Sequence, residues 1–208
     1  MNTPGGLLVL GFGGHARSIA DVGLALGIKH FCFIDVNARP NEFFGKFPVL
    51  PVWEGKLPAN WAVMPASGSN SIRQTQYDWA CTQGWPLATL IAPTSTIGYG
   101  AKIGEGSFIA QHAHVGPMAS LGVGCVINTG AIVEHDCDIG EFTHISVNAT
   151  VAGKGYVGSF CFVGAGATVI DSVRITEGVT LGAGACAHRD IKEPGTYVGV
   201  PAQRLDNK

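Results

Sequence analysis

A hexapeptide period restricts this chain more than any other feature. From Ile91 every sixth residue is aliphatic: Ile97, Ile103, Ile109, Val115, Leu121, Ile127, Val133, Ile139, Ile145, Val151, Val157, Val163, Val169, Ile175 and Leu181 follow without a break. Four residues after each comes a short side chain, from Ser95, Ala101 and Ser107 to Ala185. A period of six matches no helix and is a multiple of the strand period of two. It predicts short strands separated by turns, wound into a triangular prism with three hexads to a coil. The sixteen hexads span 96 residues, or about five coils stacked ~4.8 Å apart. The aliphatic residue should point inward, with the short residue fitting beside it. Glycine often follows the aliphatic directly, as in Ile97-Gly98 and Ile139-Gly140. Such glycines are expected to mark corners where the backbone takes a positive φ.

Composition closes off other classes. The chain has 208 residues with 30 Gly, too sparse for collagen. Charged residues are only 13% against 46% hydrophobic, which excludes a disordered tail or a coiled coil. A net charge of −2 leaves no electrostatic footprint for nucleic acid or an anionic membrane. No apolar run reaches the ~18 residues of a membrane span. The first residues carry no basic segment of the signal-peptide kind. Six cysteines without a CxxC pair fit reduced thiols and a cytoplasmic protein. Cys125, Cys137 and Cys161 occupy the inward slot of the repeat, so packed core thiols are expected.

Residues 1–90 follow a different plan. Leu7–Leu10 reads as a strand running into Gly11-Phe-Gly13-Gly14-His15-Ala16, with a helix through Leu26. A second strand, Phe31–Ile34, ends in Asp35, and a third covers Ala62–Met64. Ser67-Gly68-Ser69-Asn70 then opens a helix through Cys81, and prolines punctuate the long connection before it. Strand–helix alternation implies a small Rossmann-like parallel sheet, an α/β unit ahead of a parallel β-helix of residues 91–208. Gly11-x-Gly13-x-x-Ala16 with Asp35 fits a nucleotide fingerprint: the glycines admit a phosphate to the helix N-terminus and the acid takes ribose or base. Only half of a dinucleotide fold fits before the repeat, so one nucleotide moiety is favoured over NAD. A tight turn without a ligand is the plainer alternative.

The histidines supply candidates for chemistry. In Val133-Glu134-His135-Asp136 the imidazole falls near a corner, with Gly153 one coil above it. A carboxylate beside a histidine orients the ring and supports its action as a general base. A glycine stacked on it leaves a backbone N–H open as an oxyanion donor. His144, nine residues on, is expected on a neighbouring edge. His112 and His114 alternate, but no third ligand at a fitting spacing accompanies them, so no metal is expected. His30 precedes a buried strand and reads as structural.

These residues resemble a known family. Gly11-Phe-Gly-Gly-His15-Ala, Phe33-Ile-Asp35, Gly68-Ser-Asn70 and Ile72-Arg73 are similar to the N-terminal domain of nucleotide-sugar N-acetyltransferases. The segment from Glu134 to His144 and Tyr197-Val-Gly-Val-Pro201-Ala complete the match. That family includes bacillosamine-, perosamine- and viosamine-pathway enzymes and the sialic acid O-acetyltransferases. The resemblance implies a left-handed β-helix, a homotrimer, and acetyl-CoA in the groove between neighbouring helices. It implies His135 as base and Asp136 as its supporting acid. His144 and Gly153 would contact acetyl-CoA near the thioester, and Ala165 and Ala183 along its length. Gly14, His15, Asp35, Val36 and Gly68 would hold the nucleotide-linked sugar, whose C4 amine is acetylated directly. Asp136 stands where the family often has Glu, and Ser69 where an Asn is common. O-acetylation of sialic acid or a related sugar, a zinc hydratase on the same β-helix, and a non-catalytic scaffold are the competing readings.

Overall fold

Leu7, Leu8, Val9 and Leu10 are apolar without alternation, the pattern of a parallel strand covered on both faces. In the computed structural model all four are buried in an interior strand of a sheet. The structure describes residues 3–205; the opening residues relevant to a leader, and the last three, lie outside it. The elements run β1 (Gly6–Leu10), α1 (Gly14–Ala25), β2 (His30–Ile34), β3 (Phe43–Phe44), β4 (Phe47–Leu50), β5 (Trp61–Pro65) and α2 (Asn70–Thr82). The sheet order is β3-β4-β2-β1-β5, and only the β3–β4 pairing is antiparallel. The β3–β4 hairpin was not legible as strand, because Pro48 reads as a break. Gly45, at φ 60°, makes its turn, and Val49 and Leu50 still pair with Phe33 and Ile34.

Beyond this sheet the chain winds into the expected prism of two-residue strands. From Leu90 to Cys186 each strand pairs in parallel with the one 18 residues later, so three sheets form three faces; Val179–Leu181 then pairs with Gly195–Val198, 16 residues on, and that strand pairs antiparallel with Gln203–Arg204. One face stacks Leu90, Phe108, Val126, His144, Phe162 and Thr180. The second stacks Thr96, His114, Ile132, Thr150, Thr168 and Cys186. The third stacks Lys102, Ser120, Asp138, Tyr156 and Arg174. The hexad aliphatics from Ile109 to Leu181 are buried, as are the short residues beside them, and together they form one continuous core. Ile97, 40% exposed, belongs to the open first coil. The inward cysteines pack as expected: the Cys125 thiol donates to the Gly140 carbonyl, and burial raises its pKa to about 12.

The corner glycines require a correction. Positive φ occurs three residues after each aliphatic, not one, from Gly100 to Gly184. Several of these positions hold other residues, including His112, Asp136, Phe142 and Lys154. The glycine directly after the aliphatic is there for close approach instead. A Cβ on Gly116 would lie 2.6 Å from the backbone nitrogen of His135 in the next coil.

The α/β unit packs on the first prism face, which we call the buttressed face. Leu7, Ile19, Phe31 and Phe33 share a core with Leu90, Phe108, Ala110 and Val126. α2 is anchored separately: the Asn70 amide donates to the Phe160 and Cys161 carbonyls at 3.0 and 2.9 Å.

Candidate active site

The corner between the second and third faces stacks Pro117, His135, Gly153 and Asp171 at 18-residue steps, each two residues after an aliphatic. His135 Nδ1 lies 2.9 Å from Asp136 Oδ2, and both side chains are about half exposed, at 49% and 50%. Asp136 holds this position from a left-handed backbone at φ 58°, with its N–H bonded to the Pro117 carbonyl. The next coil is tied down in turn, since Lys154 N–H donates to the His135 carbonyl. The far side of the ring faces Gly153, where a Cβ would fall 2.6 Å from His135 Nε2. Among the described residues the Gly153 N–H donates to no acceptor. The amides on either side of this position are used, Ala152 N–H by the Val169 carbonyl and Lys154 N–H by the His135 carbonyl.

Ala165 and Ala183 occupy a different corner, between the buttressed and second faces. They sit in Gly164-Ala165-Gly166 and Gly182-Ala183-Gly184, one coil apart. Gly166 and Gly184 have open space around them, and the amides of Ala165 and Ala183 donate to nothing among the described residues. The result is a smooth ledge with two free N–H donors. Asn128 lies at this corner two coils below and was missed in the sequence, where it is one polar residue among many. Its Nδ2 is 3.1 Å from His144 Nε2.

His144 is on the buttressed face, not on an edge neighbouring His135. It meets the α/β unit there, its ring centroid 6.1 Å from that of His15. His15 also packs edge-on to Phe108, and His144 to Phe162. Burial lowers the His15 pKa to about 3, helped by the charges of His144 and Arg73. Burial and Arg73 lower His144 to about 4. The nearby Gly68 backbone opposes this second shift without completing a hydrogen bond. Both rings are therefore neutral at pH 7, and His15 Nε2 and His144 Nδ1 are buried without partners. Two orphaned imidazole nitrogens at one junction are unusual enough to mark a polar ligand site.

Arg73 holds this junction together. Its side chain is 0% exposed and donates to the carbonyls of Gly124, Phe142 and Ser67 and to Asn70 Oδ1. Burial lowers its pKa only to about 10, so it stays charged. The sequence motif contained Arg73, but nothing local revealed that two of its partners, the Gly124 and Phe142 carbonyls, lie on the prism.

The glycine loops after β1 and β5 run side by side, because those strands pair in parallel. This is the switch point where open α/β sheets bind ligands. Gly13, Gly14 and Gly68 border open space. Neither helix that starts there has a side-chain cap or an acidic residue in its first turn, which leaves both N-termini free for an anion. Asp35 differs from expectation. Its two oxygens accept the Phe12 and Asn37 amides at 2.9 Å, so its first task is to shape the glycine loop. Val36 is 85% exposed beside it.

The candidate residues thus form two groups. Gly14, His15, Gly68 and His144 meet where the sheet joins the prism, next to the Ala165–Ala183 ledge. His135, Asp136 and Gly153 are on the edge opposite the buttressed face. His114 Nδ1 bonds Thr96 Oγ1 at 2.7 Å, and no group of three His, Cys, Asp or Glu among the described residues is placed to hold a metal. No helix among the described residues is long and apolar enough to cross a membrane.

Comparisons with known proteins place this geometry. Residues 6–80 match the family described as the PglD N-terminal domain. A comparison with curated sequences gave no match. Among solved structures, the acetyltransferase domain of PglB from Neisseria gonorrhoeae in complex with acetyl coenzyme A is similar, at 33% identity and TM-score 0.90, over 97% of this chain and 100% of that one. GDP-perosamine N-acetyltransferase from Caulobacter crescentus, in complex with CoA and GDP-perosamine, matches at 27% identity and TM-score 0.85, over 97% of each chain. WeeI from Acinetobacter baumannii shares the fold at 21% identity and TM-score 0.87, over 96% of this chain and 99% of that one. With its α/β unit, its left-handed β-helix and this identity across nearly the whole chain, the protein belongs to the family of acetyl-CoA-dependent acetyltransferases that includes the PglB acetyltransferase domain.

Proposed function

We propose that the protein transfers the acetyl group of acetyl-CoA to the C4 amine of a nucleotide-linked 4-amino-4,6-dideoxy sugar. In this reading residues 1–90 bind the nucleotide sugar and residues 91–208 bind the cofactor. The pairing of His135 with Asp136 beneath the free Gly153 amide carries it. Asp136 accepts from Nδ1–H, which leaves the lone pair of the neutral ring on Nε2, the atom facing Gly153. The sugar amine attacks the thioester carbon while Nε2 takes its proton. The Gly153 N–H stabilises the oxyanion, a contribution of about 3–4 kcal/mol for such a donor. Collapse breaks the C–S bond, and the coenzyme A thiolate recovers the proton from the imidazolium. No acyl-enzyme is needed, since an amine is already a good nucleophile.

The two groups of residues require two copies of the chain. Six residues at ~3.3 Å each make a prism face approaching ~20 Å wide. His135 of one copy therefore does not reach a sugar held at Gly14, His15 and Gly68 of the same copy. In a homotrimer the second-face edge of one protomer meets the ledge and sugar junction of its neighbour, with acetyl-CoA between them. Both substrates are cytoplasmic metabolites, consistent with action in the cytoplasm.

The test is acetyl-CoA consumption with UDP-, dTDP- and GDP-linked 4-amino-4,6-dideoxy sugars. Turnover on one of them is expected, with His135→Ala cutting kcat by about 10²-fold or more and leaving the melting temperature unchanged. Near-normal activity in that variant would remove His135 as the base. Turnover on hydroxyl sugars alone would replace the amine with an alcohol acceptor.

A further inference from the structure

Arg73 is fully buried with a positive charge, and no acid among the described residues is within ion-pair distance of it. An apolar side chain would fill the space at less cost, since a buried charge without a counter-ion is expensive. The mechanism above does not use it. Its setting is α2, which lies along the corner between the third and buttressed faces. Gly106, Gly124, Phe142 and Phe160 stack there at 18-residue steps, each with a left-handed backbone. Asn70, Arg73 and Tyr77 share one side of α2 and meet all four coils. The Asn70 amide reaches the Phe160 and Cys161 carbonyls. Arg73 Nε and Nη2 donate to the Gly124 and Phe142 carbonyls, each at 2.7 Å. The Tyr77 ring packs edge-on to Phe142, with centroids 5.5 Å apart, and lies against Gly106.

The guanidinium also reaches back to the loop before α2. Nη1 donates to the Ser67 carbonyl at 3.1 Å, and Nη2 is held by Asn70 Oδ1 at 2.9 Å. Ser67 directly precedes Gly68, and Phe142 precedes His144 by two residues. One rigid fork therefore joins the loop that carries Gly68 to the turn that leads into His144. A planar guanidinium fixes the directions of its donors, which an ammonium on a flexible stem does not. The charge bears on the same junction: it disfavours a second positive charge on His15, from α1, and on His144, from the prism.

We propose that Arg73 is a positioning residue for acetyl transfer: it bridges Ser67 and Phe142, so that a sugar held by the Gly68 loop is presented at a fixed distance from the cofactor contact at His144. The inference rests on the nucleotide-sugar reading above. Arg73 touches neither substrate and acts through the loop and the turn that it joins. Tyr77 supplies the comparison. It fastens the same helix to the same corner, one turn farther from the loop.

The experiment compares full-length Arg73→Lys and Tyr77→Ala proteins by steady-state kinetics, on the nucleotide amino sugar that the wild type accepts, beside thermal melts. Arg73→Lys keeps the charge and loses the bridge. Its kcat should fall about 10²-fold, as expected of a misplacement on the ångström scale. The sugar KM and the acetyl-CoA Kd should stay within about 3-fold of wild type. Tyr77→Ala should lower the melting temperature and leave kcat within about 2-fold. Where Arg73→Lys does not fold, Asn70→Ala decides, since it takes one acceptor from the guanidinium and leaves the charge in place; its kcat should fall about 5-fold. An unchanged kcat in the deciding variant would overturn the proposal. So would a loss confined to the sugar KM, which marks binding rather than placement. An equal loss of kcat in Tyr77→Ala would overturn it as well, because fastening of α2 would then be the whole effect. If the wild type acetylates no nucleotide amino sugar, the nucleotide-sugar reading falls, and the proposal with it.

Discussion

At the residue scale the candidate base depends on what is missing beside it. His135 Nε2 is against the α-carbon of Gly153, where any other residue would place a Cβ at 2.6 Å. Gly153→Ala therefore has to displace the imidazole or the corner, while the ladder bonds of neighbouring residues stay available. We expect kcat to fall about 10²-fold with a change in melting temperature of only a few degrees. Steady-state kinetics beside a thermal melt check this, and an unchanged kcat would show that the amide and the ring do not act together. Asp136 illustrates a second constraint. Its left-handed backbone is tolerated by Asp better than by most residues, and that conformation turns its carboxylate back to Nδ1. The adjacent His–Asp pair was legible in the sequence, but the backbone reason for it was not.

At the element scale, α2 is fastened to the prism by the buried Arg73 and the Asn70 amide, while α1 packs His15 against His144 there without a hydrogen bond, and burying the two rings has a cost in acid. The folded state keeps His15 and His144 neutral, with pKa values lowered to about 3 and about 4 from 6.5. Below pH 6.5 the unfolded chain takes up two protons that the folded chain does not. Stability therefore falls as pH drops, until each ring titrates in the folded state near pH 4 and pH 3. Between pH 6.5 and 5 the loss is about 2 kcal/mol per ring. Melting temperatures should fall across that window, and His144→Gln should flatten the slope relative to wild type. Equal slopes would mean that the junction opens to water before the rings matter. Arg73 is the other fastening, and its bond to the Gly124 carbonyl joins residues 51 apart in sequence. No motif of local spacing reveals such a contact.

At the scale of the whole molecule, the proposed function puts its base on one edge and its sugar junction on the opposite face, and so requires a site completed between protomers. This is testable without knowing the base or the sugar stereochemistry. His135→Ala and His15→Ala should each be nearly inactive alone. Co-expressed in equal amounts, they should regain about a quarter of wild-type turnover, the share of interfaces that pair two intact halves at random. No recovery would mean that each chain carries its whole site. The sequence by itself determined the prism, its register, its inward residues and the parallel α/β unit. Those follow from periodicity and local pattern, since each hexad repeats one short-range problem of burying an aliphatic and turning a corner. Only the tertiary structure decided which corner glycines answer to steric closeness and which to φ. It also brought His144 to His15, gave Asp35 a structural task, and separated His135 from the His15–His144 junction. These outcomes depend on contacts between positions tens of residues apart, and burial there sets both the charge of the histidines and the geometry of the site.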